Sequence, residues 1–258
     1  MFSFLKILLL AVVQGLTEFL PVSSSGHLVI AKHLLKLESP GALLEVGLHI
    51  GTLISILVYY RKRISGLLRD IIKNENNSRY YAKTIIIASL PIFAVAVLFA
   101  DKINLMFESP MTVVIMLCVT GLILLSLLIH KTQGRCLNCM TSFFVGLAQA
   151  FALIPGISRS GITITLARHL GVSRERSAEF SFFIAIPALI GAAVKTLVFD
   201  GADLGEITSV SLIAGILVSA CVGYFAIHCL LKILVSGKFW IFGVYCLIVG
   251  VLGVIMFL

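Results

Sequence analysis

Two short polar clusters interrupt otherwise apolar stretches of this 258-residue chain. The first reads Gln14-Gly-Leu-Thr-Glu18-Phe-Leu-Pro21-Val-Ser23-Ser24-Ser25-Gly26-His27. Ser24 and His27 are three apart and share a helix face, which makes a hydroxyl nucleophile beside an imidazole base. Glu18 precedes Pro21 and can serve instead as the activating base or orient His27. Gln14 lies one helical turn before Glu18 on the same face. A carboxylate with an amide can also hold a divalent cation, Mg2+ or Ca2+, that bridges phosphate oxygens, so Glu18 is the candidate metal ligand. The second cluster reads Gln149-Ala-Phe-Ala-Leu-Ile-Pro155-Gly156-Ile-Ser158-Arg159-Ser160-Gly161. Its guanidinium suits phosphate, because a planar fork donates bidentately.

The two clusters share a register. The intervals 149 − 14 and 161 − 26 both give 135, and Arg159 falls at the position of Ser24. After each Pro, a Ser run is expected to open a helix, with Ser the favoured N-cap. A helix N-terminus offers free N–H groups and partial positive charge to an anion. Ser23, Ser25 and Gly26 on one side, and Ser158, Ser160 and Gly161 on the other, are therefore candidate substrate contacts. The glycines leave room for close backbone approach. Ser in a membrane helix more often bonds only to its own turn. A buried Glu or Arg is different, because each costs roughly 2.5–3.5 kcal/mol at mid-membrane on insertion scales.

Composition sets what must position these groups. The chain is 59% hydrophobic and 12% charged, with mean hydropathy +1.10; soluble domains run about 25% charged. This is the profile of an all-α polytopic membrane protein, a single membrane domain over 1–258. The apolar N-terminal run is interrupted by Glu18 and is expected to be retained rather than cleaved. The net charge of +8 points to basic loops on one membrane face, not to nucleic acid. Of the six cysteines, Cys136 and Cys139 are spaced as a metal pair, but no second pair completes four ligands, so inert thiols are expected.

Six apolar runs, near 42–60, 84–100, 110–130, 178–198, 209–231 and 239–257, are long enough to span. The basic 61–83 loop is cytoplasmic by the positive-inside rule, as are Lys131 with Arg135 and Lys232 with Lys238. The loop with Asp101, Lys102 and Glu108, and that with Asp200, Asp203 and Glu206, fall outside. Segments 4–36 and 141–169, which carry the clusters, each consist of two short stretches broken by Pro and Gly. They read as re-entrant helical hairpins, the first entering from outside and the second from the cytoplasm; the alternative is one kinked span each. Three spans follow each hairpin. The halves, about 1–135 and 136–258, then form an inverted-topology repeat. Glu45 and Glu179 occupy nearly matching positions and are expected to pin each hairpin to its spans. Lys195 and His228 lie near span ends and are expected to snorkel or bond locally.

At these residues the chain resembles the undecaprenyl pyrophosphate phosphatase family, also known as the bacitracin-resistance proteins. The family's Glu or Gln, three residues, then Glu is met by Gln14 and Glu18. Its Pro-Val-Ser-Ser-x-Gly-His run is met by Pro21 to His27, and its Pro-Gly-x-Ser-Arg-Ser-Gly run by Pro155 to Gly161. The resemblance implies hydrolysis of a C55 polyprenyl pyrophosphate to the monophosphate carrier lipid, in the bacterial cell membrane, at a site open to the outer face. It implies recycling of that carrier for cell-wall synthesis, and bacitracin resistance. By the same resemblance Ser24 is the nucleophile or a phosphate-contacting hydroxyl, Glu18 and His27 share acid–base work, and Arg159 binds the pyrophosphate. Many members carry Glu at position 14 and Gln at position 49, where this chain has Gln14 and His49. The implied partners are the polyprenyl lipid and membrane lipids; a homodimer is left open. A transporter or flippase using the same anion site is the competing reading, since broken helices in inverted repeats are also its architecture.

Overall fold

Each short arm of the two broken segments forms its own helix. The computed structural model describes residues 4–35, 42–129, 134, 136–199, 201 and 208–258. Helix α1 (Phe4–Phe19) stops before Pro21, and α2 (Ser24–Leu34) restarts at the serine run. Helix α8 (Cys139–Phe151) and α9 (Arg159–His169) repeat the pattern around Pro155. The arms hold 16, 11, 13 and 11 residues, so at 1.5 Å per residue none crosses about 30 Å of hydrocarbon alone.

The remaining helices are α3 (Ala42–Tyr59), α4 (Arg61–Ile72), α5 (Asn76–Leu98), α6 (Ala100–Phe107), α7 (Pro110–Leu125), α10 (Arg174–Val194), α11 (Ser209–Val235) and α12 (Ile241–Phe257). Among the described residues four are long and apolar enough to cross a membrane: α5, α7 with its extension to Ile129, α10 with its extension to Phe199, and α11. The pair α3 and α4 adds a fifth if counted together, bent by 71°. The apolar α12 has 17 residues. The chain is thus a multi-pass helical membrane protein.

Two expected loops are helices. Residues 61–72 form α4, with Leu67 buried and its basic side chains exposed. Residues 100–107 form α6. Both alternate charge with apolar residues, and such a segment gains by lying along the membrane boundary as a helix. Lys131, Arg135, Asp200, Asp203 and Glu206 lie outside the described residues.

Packing is tightest where small residues let backbones meet, the usual device when lipid is as apolar as the partner helix. Helix α1 packs on α11, α11 on α3, α8 on α5, and α12 on α7. A Cβ on Gly121 would stand 2.8 Å from the Gly243 carbonyl oxygen, and one on Gly243 would stand 2.9 Å from that of Gly121. The main core joins Phe19 and Val22 to Ile56, Leu117, Ile164 and Phe182, so both breaks rest on it.

Glu45 on α3 pairs with Lys32 on α2, which pins the first hairpin as expected. Glu179 departs from the expectation. It accepts from Arg63 at 3.1 Å and from the Tyr81 hydroxyl at 3.3 Å, tying α10 to α4 and α5 rather than to its own hairpin. The cysteines form no disulfide among the described residues. Cys139 donates its backbone N–H to the Tyr80 hydroxyl at 3.3 Å.

Candidate active site

The break after α1 is held open by Ser23, whose φ is +67°. This left-handed backbone lets the Ser23 side chain turn back and accept from the Gly26 N–H at 3.3 Å. Ser158 caps α9 the same way, accepting from the Gly161 N–H at 3.1 Å. The caps spend the N–H groups of both glycines. The first N–H groups of each helix, at Ser24 and Ser25 and at Arg159 and Ser160, have no intrahelical acceptor.

The two breaks interlock. Ser25 Oγ accepts from the Gly156 N–H at 3.2 Å, and Ser160 Oγ donates to the Leu20 carbonyl at 3.4 Å. Gly156 has φ +94°, and a Cβ there would collide with the Val113 carbonyl, so only glycine fits. The Gly156 carbonyl accepts from Thr120 Oγ1 at 2.9 Å, and that oxygen accepts from the Ser158 N–H at 3.0 Å. Ser25 and Ser160 are therefore committed to joining the hairpins.

Glu18 stands at the meeting point and is 8% exposed. Arg159 pairs with its Oε1. Its Oε2 accepts from Ser24 Oγ at 2.7 Å and from Gln14 Nε2 at 3.0 Å, with His49 Nδ1 at 3.5 Å. Gln14 Nε2 also lies 2.8 Å from His49 Nδ1. A carboxylate that accepts from a guanidinium, a hydroxyl and an amide N–H is held ionised and acceptor-only. Arg159 Nη1 is buried and has no partner among the described residues. A buried charged donor with nothing to donate to is costly, and an anion supplies the missing acceptor.

A cavity of about 260 Å3 opens over this group. Its polar floor carries Glu18, Ser24, His49, Ser158 and Arg159. The rest of its lining is largely apolar, with Ile92, Ile103, Phe107, Leu153 and Leu189, apart from the paired Lys32 and Glu45. A polar floor under an apolar wall fits a charged headgroup on a hydrocarbon chain.

Both oxygens of Glu18 are taken, and the described residues bring together no group of three or more His, Cys, Asp or Glu able to hold a metal ion. The protein side chains alone do not fit a cation site of the kind expected around Glu18. The neutral amide of Gln14 supplies no second carboxylate.

A family model described as bacitracin resistance protein BacA matches residues 7–252. The chain belongs to this family. Relatives named undecaprenyl-diphosphatase are similar to it end to end. That of Halothermothrix orenii is 38% identical over 256 residues, covering 97% of each chain. That of Bacteroides fragilis is 36% identical over 256 residues, covering 96% of each. That of Methanobrevibacter smithii is 37% identical over 269 residues, covering 96% of this chain and 95% of its own.

In this BacA-family chain the expected groups do not all meet. Gln14, Glu18, Ser24 and Arg159 converge. His27 does not join Ser24. Its Nδ1 donates to the Ser23 carbonyl at 2.9 Å, so Nε2 accepts from the Tyr245 hydroxyl at 2.8 Å. The expected Ser24–His27 couple is replaced by Ser24–Glu18. One shared helix face holds two side chains near each other, but a carboxylate from the other arm lies closer to the hydroxyl. Ser160, Gly26 and Gly161 do not line the cavity, while Ser23, Ser25 and Ser158 do. His49 belongs to the site although the clusters do not contain it; its four-residue spacing from Glu45 on one apolar helix was the available signal. Gln149, the register partner of Gln14, is fully buried, and neither amide atom has a partner among the described residues.

Proposed function

We propose that this protein hydrolyses undecaprenyl diphosphate to undecaprenyl phosphate and inorganic phosphate, recycling a carrier lipid for the cell wall and conferring bacitracin resistance. The observation that carries the chemistry is the Ser24 hydroxyl donating to Glu18 while Arg159 holds the other carboxylate oxygen. Family membership and the relatives' name support the substrate.

In the proposed reaction Ser24 Oγ attacks the terminal phosphorus as its proton passes to Glu18 Oε2. The bond from that phosphorus to the bridging oxygen breaks, and its electron pair leaves on undecaprenyl phosphate. Glu18 gives up the Ser24 proton to the departing undecaprenyl phosphate. Water then attacks the phosphoserine phosphorus as its proton passes to Glu18, the Ser24 Oγ–phosphorus bond breaks, and Glu18 returns that proton to Ser24 Oγ as phosphate leaves. Arg159 Nη1 and the free N–H groups at the starts of α2 and α9 donate to the phosphate oxygens and stabilise the charge that builds on them. His27 fixes the break that aims Ser24.

The finer topology belongs to the same reading: six spans, two re-entrant hairpins and inverted halves of about 1–135 and 136–258. Support comes from exchanged packing. The first hairpin's α1 rests on α11 of the second half, and the second hairpin's α8 rests on α5 of the first. Offsetting α5 by 135 residues superposes its sequence range on that of α11. Under the positive-inside rule the basic α4 faces the cytoplasm of a bacterial cell, and α6, which lines the cavity through Ile103 and Phe107, faces outward.

The test is phosphate release by purified protein given undecaprenyl diphosphate in detergent. Release that saturates with lipid is expected. No release, with anion or lipid movement across liposomes instead, overturns the reading.

A further inference from the structure

We infer that His49 is a substrate-contacting residue, donating from Nε2 to an oxygen of the scissile phosphate group. The inference rests on the phosphatase reading above. His49 was not among the residues given a role there, and it lies on α3, outside both polar clusters.

The argument starts from Glu18, whose carboxylate oxygens only accept. The Gln14 atom 3.0 Å from Glu18 Oε2 must therefore be the amide nitrogen. That same NH2 group lies 2.8 Å from His49 Nδ1. With the amide as donor, Nδ1 is the acceptor, and a neutral ring then carries its proton on Nε2. Gln14 thus selects the tautomer through Nδ1 and leaves Nε2–H as the ring's only donor. The Gln14–His49 pair makes this assignment independent of any cation.

The ring is also placed to use that donor. His49 lines the cavity beside Glu18, Ser24 and Arg159, with its side chain 30% exposed. No described residue bonds to Nε2. The backbone beneath is pinned: Ser219 Oγ on α11 donates to the Leu48 carbonyl at 2.9 Å, and Thr52 Oγ1 donates to the His49 carbonyl at 2.9 Å. A fixed ring with a directed N–H, next to the unpartnered Arg159 Nη1, adds a second donor for an anion. It comes from α3, a different helix from the α9 that carries Arg159.

Two amides separate this role from a structural one. The His49→Asn side chain places its oxygen near Nδ1, so it keeps the bond to Gln14 but falls short of the cavity. His49→Gln extends one methylene further and reaches the Nε2 position. Substrate contact predicts that His49→Gln keeps kcat/KM within about threefold of wild type, while His49→Asn loses about 10- to 100-fold, the range for a hydrogen bond to a charged group. A purely structural role predicts the reverse order. Steady-state kinetics on undecaprenyl diphosphate measures both, with thermal melting in detergent confirming comparable folding. Equal activity of the two variants, or the reverse order, overturns the inference. A wild-type protein that releases no phosphate overturns the phosphatase reading instead, and the two failures are distinct.

Discussion

Ser24 and Glu18 sit on opposite arms of one broken helix, and the hydroxyl of the first donates to the carboxylate of the second at 2.7 Å. The break makes this pair. Six residues apart on a continuous helix, the two side chains would point to different faces. The turn at Pro21 and the left-handed Ser23 fold the second arm back, so the hydroxyl meets the carboxylate inside the cavity. Ser24→Ala removes the nucleophile while leaving Glu18 paired with Arg159. It is expected to lower kcat by at least about 10²-fold, the scale of positioned acid–base chemistry. Glu18→Gln is expected to lose as much, since an amide cannot take the proton. Phosphate release under saturating lipid measures both; near-normal turnover in Ser24→Ala would leave water as the nucleophile.

Arg159 is asked to do two things with one planar group. One nitrogen pairs with Glu18, and Nη1 is left buried for an anion. A lysine carries the same charge but cannot address two oxygens from a fixed fork. Arg159→Lys is therefore expected to stay at least about tenfold below wild type in kcat/KM, and Arg159→Ala to abolish turnover. Melting temperatures in detergent would show that both variants fold. A lysine variant with full activity would reduce Arg159 to a simple counter-charge.

His27 and Tyr245 form the second relationship that the broken helix creates, between α2 and α12. Because His27 Nδ1 donates to Ser23, its Nε2 must accept from the Tyr245 hydroxyl. In the proposed reaction the ring stabilises the capped turn, and Glu18 serves as the base. Tyr245→Phe removes one hydrogen bond and keeps the ring packing. It is expected to cost about 1 kcal/mol of stability while leaving kcat within about tenfold. Melting and phosphate release on one preparation test it, and a loss of kcat comparable to Ser24→Ala would return His27 to the proton chemistry.

The sequence disclosed the membrane class, the two breaks and the convergence of Gln14, Glu18, Ser24 and Arg159, because each rests on a local signal. Pro and Ser mark the breaks, and a Glu or Arg in an apolar run stands out by its cost. Less legible was anything decided by three-dimensional choice among neighbours. His27 and Glu18 both lie within reach of Ser24 on paper; only the fold-back of the arm selects Glu18. His49 joins the site because α3 packs beside α1, and its spacing from Glu45 marks a polar face of α3 without saying which helix that face meets. Glu45 and Glu179 have matching registers, yet Lys32 meets Glu45 while Arg63 and Tyr81 meet Glu179. The basic 61–72 stretch reads as a loop by charge, but its apolar residues, with Leu67 buried, make it a helix.

Orientation follows from charge, and it can be read without touching the chemistry. Helix α4 exposes Arg61, Lys62 and Arg63 and is bent by 71° from α3. Moving such a cluster through the membrane is costly, so the orientation proposed above keeps it in the cytoplasm. Helix α6 carries Asp101 and Lys102, both exposed, and two of its residues, Ile103 and Phe107, line the cavity. In a chain whose native cysteines are replaced, Lys102→Cys is expected to react in intact cells with a membrane-impermeant thiol reagent, and Lys62→Cys only after permeabilisation. Both sites are exposed and neither touches the polar floor, so phosphate release should persist in each variant. The reverse labelling would invert the protein and place its cavity on the cytoplasmic side. Labelling of both from outside would break the odd number of crossings between them, and with it the inverted repeat.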